Sequence, residues 1–291
     1  MRIMGSGRSL KGKKRLAPAD SGRKSSQPGS GKRAKASRPL LWENLTWEEI
    51  GALASSGAEL ALLPVGATEQ HGPHLGTGVD TVCAMELAHA VSAETGAPVL
   101  PVLPYGCSLG HSRRWPGTIA LQPHTLTDTV VQIFEWAHNF GFRRMILING
   151  HVTNFAPLRC ALEIIRSRFD DAMVAVRNVA EISPRVREEF YADAEDWHAN
   201  AAEAALILAR APRLARPEKL ASSDDPDRTQ GLIFSHPVNR TSTNGVTGAP
   251  SRASREQGER LFSWMVEDLA AQVRTAMLEN PPLPNSWLAP L

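Results

Sequence analysis

"ELALLPVGATEQHGPHLGTGVDTVCAMELAHAVSAETG", residues 59–96, changes character twice. From Leu60 to Val65 it is apolar and uncharged, as a parallel strand buried on both faces requires. Gly72, Pro73, Gly76 and Gly78 then suit a stiff, winding loop. Beyond it Val82, Met85, Leu87, Ala88 and Val91 recur at helical spacing, and Gly96 supplies a stop. Strand, loop and helix in this order form the unit of an α/β fold.

The unit repeats outward in both directions. Upstream, Thr46 followed three residues later by Glu49 predicts a capping box on a short helix. Downstream, "APVLPVLPYG" (97–106) is strand-like, limited by Pro101 and Pro104. "HTLTDTVVQIFEWAHNFG" (124–141) reads as a helix and "FRRMILING" (142–150) as a strand. A helix over 154–169, a strand over 171–179 and an alanine-rich helix over 200–211 follow. Residues 214–240 have little periodicity and read as a long loop. Residues 254–278 form a last helix with Leu261, Met265, Leu269 and Val273 as its apolar stripe. The alternation predicts α/β layers around a mostly parallel sheet.

The chain has 291 residues, 42% of them hydrophobic, enough to bury one large core. Three cysteines without a close pair exclude a disulfide framework and point to a reducing, cytoplasmic setting. No apolar run reaches the roughly 18 residues of a membrane span. The net charge of +2 conceals an asymmetry: residues 1–38 carry +11 and residues 39–291 carry −9. Residues 1–38 are thus expected to be a disordered basic extension or an overextended start, and 39–291 a single catalytic domain. A nucleic-acid role would rest on the extension alone and is not expected.

The loop after the first strand carries the chemistry. Glu69 and His71, two apart, point the same way in an extended segment, and the loop could return Asp80 beside them. His151 follows the second strong strand directly. His198 and Glu203 stand at the start of the alanine-rich helix, where the helix dipole favours the carboxylate. Ligands in parallel α/β folds gather beyond the carboxyl ends of strands. Carboxylates and imidazoles without thiolates suit zinc, manganese or iron(II). Glu69, His71, Asp80, His151 and Glu203 suffice for two ions sharing Asp80.

Five segments together resemble the creatininase (creatinine amidohydrolase) family: "EQHGPHLGTGVD", "RWPGTIAL", "NGHVTN", "HANAAEA" and "GVTGAP", spread in order over about residues 40–275. The resemblance implies a three-layer α/β/α fold, homo-oligomers that are often hexamers, and metal-dependent opening of C–N bonds in small amides. By position it implies Glu69, His71, Asp80, His151 and Glu203 as metal ligands, with Asp80 bridging two divalent ions. It implies His198 as the proton-transferring histidine. The expected activity is hydrolysis of an amide, cyclic amide or formamide by metal-activated water. The alternative is condensation, ring opening or isomerisation at the same site.

Departures from the family pattern bear on substrate. Thr153 stands where creatinine-hydrolysing members have a metal-reaching glutamate. The segment before Pro116 is one residue longer and holds His111, Arg113 and Arg114. Two arginines near a metal site suggest an anionic small-molecule substrate, bound bidentately; the alternative is that both are solvated. Trp115 is either a pocket wall or core, and Thr153 reshapes the pocket.

Overall fold

The structure is a computed structural model and describes residues 38–111 and 113–283. The basic extension lies outside the described residues up to residue 37, as does the end of the proline-rich terminus from residue 284. Three parallel strands form the sheet in the order β1 (Leu60–Val65), β2 (Arg144–Asn149), β3 (Met173–Asn178). Their register pairs Val65 with Asn149 and Asn149 with Asn178, so the carboxyl ends are level.

The expected strand over 97–106 is instead a ribbon that touches β1 only through isolated bridges, Leu62 with Val99 and Val65 with Leu103. Pro98, Pro101 and Pro104 remove the donors a continuous ladder needs.

Alternate strand residues face opposite layers, as the two-residue period demands. Leu60, Leu62, Ile146 and Ile148 pack among residues of α2 (Val79–Thr95), α5 (Pro184–Phe190), α6 (Ala201–Arg210) and α8 (Arg255–Leu278). Ala61, Leu63, Val65, Met145 and Leu147 face α3 (Pro123–Asn139) and α4 (Phe155–Arg168), with α1 (Trp47–Ser55) at the edge. Leu62 and Leu63 are both fully buried, on opposite faces. Each contributes on the order of 2 kcal/mol by transfer from water. The result is a three-layer α/β/α fold.

Helix ends follow local chemistry. Thr46 and Glu49 form the reciprocal capping box of α1. Asn200 caps α6 through the Glu203 N–H, and Ser254 caps α8 through the Gln257 N–H. The left-handed Gly96 ends α2. Two short helices interrupt the irregular sequence: α5, started by Ser183 and Pro184, and α7 (Val238–Thr241), across the end of the expected long loop. No helix among the described residues is long and apolar enough to cross a membrane.

Candidate metal and catalytic centre

The carboxyl edge of the sheet gathers the polar residues that the core excludes. After β1 the chain turns back on itself, with the Glu69 N–H donating to the Thr77 carbonyl (3.0 Å). This return carries Asp80 to the site, but from a helix and not from the loop: Asp80 lies in the first turn of α2. Glu203 occupies the corresponding turn of α6. Both carboxylates thus sit at positive helix ends. Gly150, between β2 and His151, is required by this approach: a Cβ there would lie 2.3 Å from the Asp80 carbonyl oxygen.

Ala199 completes the bend between His198 and α6. It is the one non-glycine residue with positive φ (51°) among the described residues. Such a conformation is strained for alanine. The turn lets the Ala199 N–H donate to Glu203 Oε2 at 2.6 Å.

Two trios of donor atoms share Asp80: Glu69, Asp80 and His151, and His71, Asp80 and Glu203. All five side chains are buried. His71 Nδ1 faces the Glu69 carbonyl at 3.1 Å, and a carbonyl only accepts, so Nδ1 carries the proton. The lone pair of neutral His71 Nε2 then points at Asp80 Oδ1 (3.1 Å) and Glu203 Oε1 (3.6 Å). Burial alone would lower the pKa of His71, but Asp80 and Glu203 raise it well above the usual histidine range, so in the absence of a cation Nε2 holds a proton that a bound ion would displace.

A similar argument orients His151. Thr153 Oγ1 donates to the Cys107 carbonyl, leaving only lone pairs for His151 Nε2, 2.5 Å away. The Cys107 carbonyl also approaches Nε2, at 3.3 Å. Nε2 therefore carries the proton and Nδ1 offers its lone pair toward Asp80 Oδ2, at 3.4 Å.

Glu69 Oε2, His71 Nε2 and Asp80 Oδ2 are buried without a hydrogen-bond partner; His151 Nε2 approaches Glu69 Oε2 to 3.1 Å but outside hydrogen-bond geometry. Acceptors crowded on acceptors in a dry site are costly unless a cation lies among them. The donor chemistry, carboxylate and imidazole only, fits zinc, manganese or iron. Each trio could hold one divalent ion.

A further histidine joins the site. His111 is buried, with Nδ1 3.0 Å from Glu69 Oε1, and forms a third trio with Glu69 and His198. Burial pushes its pKa down to about 4, and the neighbouring His198 acts in the same direction. His111 lies in the lengthened segment before Pro116, beside the two arginines, and carried no expected role in the site. The available signal was an imidazole three residues after Ser108, whose own hydroxyl meets His151 Nε2 at 3.1 Å.

The third trio holds a hydrogen bond of its own whenever the His198 ring is protonated. His198 Nε2 lies 2.7 Å from Glu69 Oε1, while His198 Nδ1 is 2.7 Å from the Gly245 carbonyl. That carbonyl fixes the proton on Nδ1. It also accepts from Gln70 Nε2 at 3.1 Å. Gly245 must be glycine: its φ is +87°, and a Cβ would fall 2.1 Å from Gln70 Oε1.

Asp225 holds this turn through Ser242 Oγ (2.8 Å) and the Thr243 N–H (2.7 Å). Burial raises the Asp225 pKa, but Arg228, Thr243 and Ser242 outweigh it and bring it to about 2.

The residues expected to meet substrate are dispersed. Arg114 donates to the backbone carbonyls of Asn239 (3.2 Å), Ser242 (2.8 Å) and Thr243 (3.3 Å), and stacks on Trp115. Its guanidinium thus ties two loops together. Arg113 is exposed and Trp115 half-buried. Thr153 is beside His151. A cavity of about 220 Å3 reaches His151, and none of Arg113, Arg114, Trp115 and Thr153 lines it.

A sequence model of the family described as creatinine amidohydrolase matches residues 43–273. The creatinine amidohydrolase of Pseudomonas putida is 32% identical over 263 residues, 84% of this chain and 99% of the relative. The mycofactocin precursor peptide peptidase of Mycolicibacterium smegmatis is 30% identical over 223 residues, 74% of this chain and 84% of the relative. A mutant creatininase in a zinc–zinc form superposes with a TM-score of 0.74 at 29% identity, covering 84% of this chain and all of that one. Creatininase in a manganese form is also among the structural neighbours.

Proposed function

The chain belongs to the creatininase family of amidohydrolases, and on that premise we propose that it hydrolyses the C–N bond of a small amide at a centre of two divalent ions. The observation that carries the proposal is the set of buried, unpartnered atoms on Glu69, His71 and Asp80. Glu69, Asp80 and His151 would hold one ion, and His71, Asp80 and Glu203 the other. Zinc, manganese or iron so held would lower the pKa of a water and polarise an amide carbonyl.

The protein's own part is orientation and proton transfer. His198 is the proposed general acid–base. With Nδ1–H committed to the Gly245 carbonyl, Nε2 is the atom that takes and returns a proton. Glu69 Oε1, 2.7 Å away, stabilises the protonated ring. Delivery to the leaving nitrogen matters as much as attack, because an unprotonated amide nitrogen leaves poorly. A homo-oligomer belongs to the same proposal. It is supported by the apolar tip Leu232, Ile233 and Phe234, which a lone chain leaves in solvent.

Turnover in 18O-labelled water tests the reaction. Hydrolysis must place one solvent oxygen in the new carboxyl product. A product formed without solvent oxygen would replace hydrolysis with condensation or isomerisation at the same site, the alternative that Thr153 in place of a carboxylate keeps open.

A further inference from the structure

The cavity that reaches His151 has a wall of four hydrogen-bonding side chains from the carboxyl ends of β2 and β3 and the segment beyond. The directions of those bonds can be read in order. The His151 N–H donates to Asn149 Oδ1 at 3.2 Å, which fixes the orientation of that amide. Asn149 Nδ2 donates to the His151 carbonyl (2.8 Å) and to Asn178 Oδ1 (3.0 Å). Asn178 is thereby oriented too, and its Nδ2 donates to Glu181 Oε2 at 2.8 Å. From the other side the Tyr191 hydroxyl donates to Glu181 Oε1 at 3.2 Å.

Asn149 and Asn178 each direct one amide N–H along the wall toward Glu181, the Tyr191 hydroxyl meets it from the other side, and the second Asn149 N–H closes back on the His151 carbonyl. A carboxylate has about four lone-pair sites, and the bonds from Asn178 and Tyr191 use two. The capacity that remains at Glu181 is acceptor only and carries negative charge. Glu181 is exposed, so it can meet a ligand without first being uncovered. Tyr191 and Trp197 add aromatic surface beside it. Such faces attract cations and repel anions. No lysine or arginine lines the cavity; the nearby guanidinium of Arg187 stacks on the Tyr191 ring, 4.2 Å from its centroid.

We propose that Glu181 is a specificity residue that selects amides bearing a cationic nitrogen, ammonium or guanidinium, at the end away from the scissile bond. This rests on the amidohydrolase reading above and reverses the charge expected from Arg113 and Arg114. The polarised wall joins the two ends of the substrate. It begins at the backbone of His151, whose side chain belongs to the Glu69–Asp80–His151 trio, and ends at the carboxylate that would receive the cation.

Three amides of matched length test it: 4-aminobutanamide, butanamide and succinamate, which are cationic, neutral and anionic. Binding to the metal-loaded protein is followed by calorimetry and ammonia release by a coupled assay. The wild type should bind 4-aminobutanamide at least about tenfold more tightly than butanamide, as a charge-assisted hydrogen bond supplies, and succinamate most weakly. Glu181→Gln should erase the cation preference with metal content unchanged, and Glu181→Arg should turn it toward succinamate. Equal binding of all three amides, no binding of any, or a preference that survives Glu181→Gln overturns the proposal. Hydrolysis without charge preference would sink this inference and leave the amidohydrolase reading standing. Charge-selective binding without ammonia release would do the reverse.

Discussion

Asp80→Ala is expected to purify with less than one divalent ion per chain and to lose activity by on the order of 10^3 or more. Asp80 is the one side chain common to both donor trios. Without it each position keeps only two protein ligands, Glu69 with His151 or His71 with Glu203. A metal site stabilises transition-state charge by several kcal/mol, and each 1.36 kcal/mol is a factor of ten in rate. His71→Ala should be milder in metal content, because it thins only one trio. Elemental analysis of the two variants against wild type checks the ordering. Asp80→Ala loaded to the wild-type level would break the shared-ligand assignment.

His198→Ala is expected to keep its metal and still lose about 10^2–10^4 in turnover, the range for a positioned general acid–base. Its Nδ1–H is held by the Gly245 carbonyl, and its Nε2 lies 2.7 Å from Glu69 Oε1, where a proton gained by the ring is hydrogen-bonded at once. Metal content and turnover measured on the same sample separate the roles. A metal-depleted His198→Ala would make His198 a ligand, in line with the Glu69–His111–His198 trio, and would remove it as the proton carrier.

The sequence made the layers and the metal-type residues legible because both leave local signals. The uncharged run Leu60–Val65 gave β1, the apolar run Met145–Ile148 behind two arginines gave β2, and Thr46 with Glu49 gave the start of α1. Glu69, His71 and His151 could be placed because each follows a strand. Asp80 was expected in a loop because Gly76 and Gly78 precede it, yet Val79 already begins α2. His111 left a weak signal: its role depends on a meeting with Glu69 across 42 residues of chain, which no local spacing encodes. Arg114 shows the same limit from the other side. A guanidinium near a metal site suggests an anion, but three carbonyls of residues 239–243 satisfy it. The polarised wall ending at Glu181 was invisible because it joins residues of two strands and two later segments through bond directions, and a sequence does not state those.

The most direct test of the account is anomalous scattering from crystals grown with zinc or manganese, recorded on both sides of the metal absorption edge. The account predicts two peaks per chain, one among Glu69, Asp80 and His151 and the other among His71, Asp80 and Glu203, with Asp80 touching both. A single peak at Glu69, His111 and His198, or none among these seven side chains at saturating metal, would contradict it.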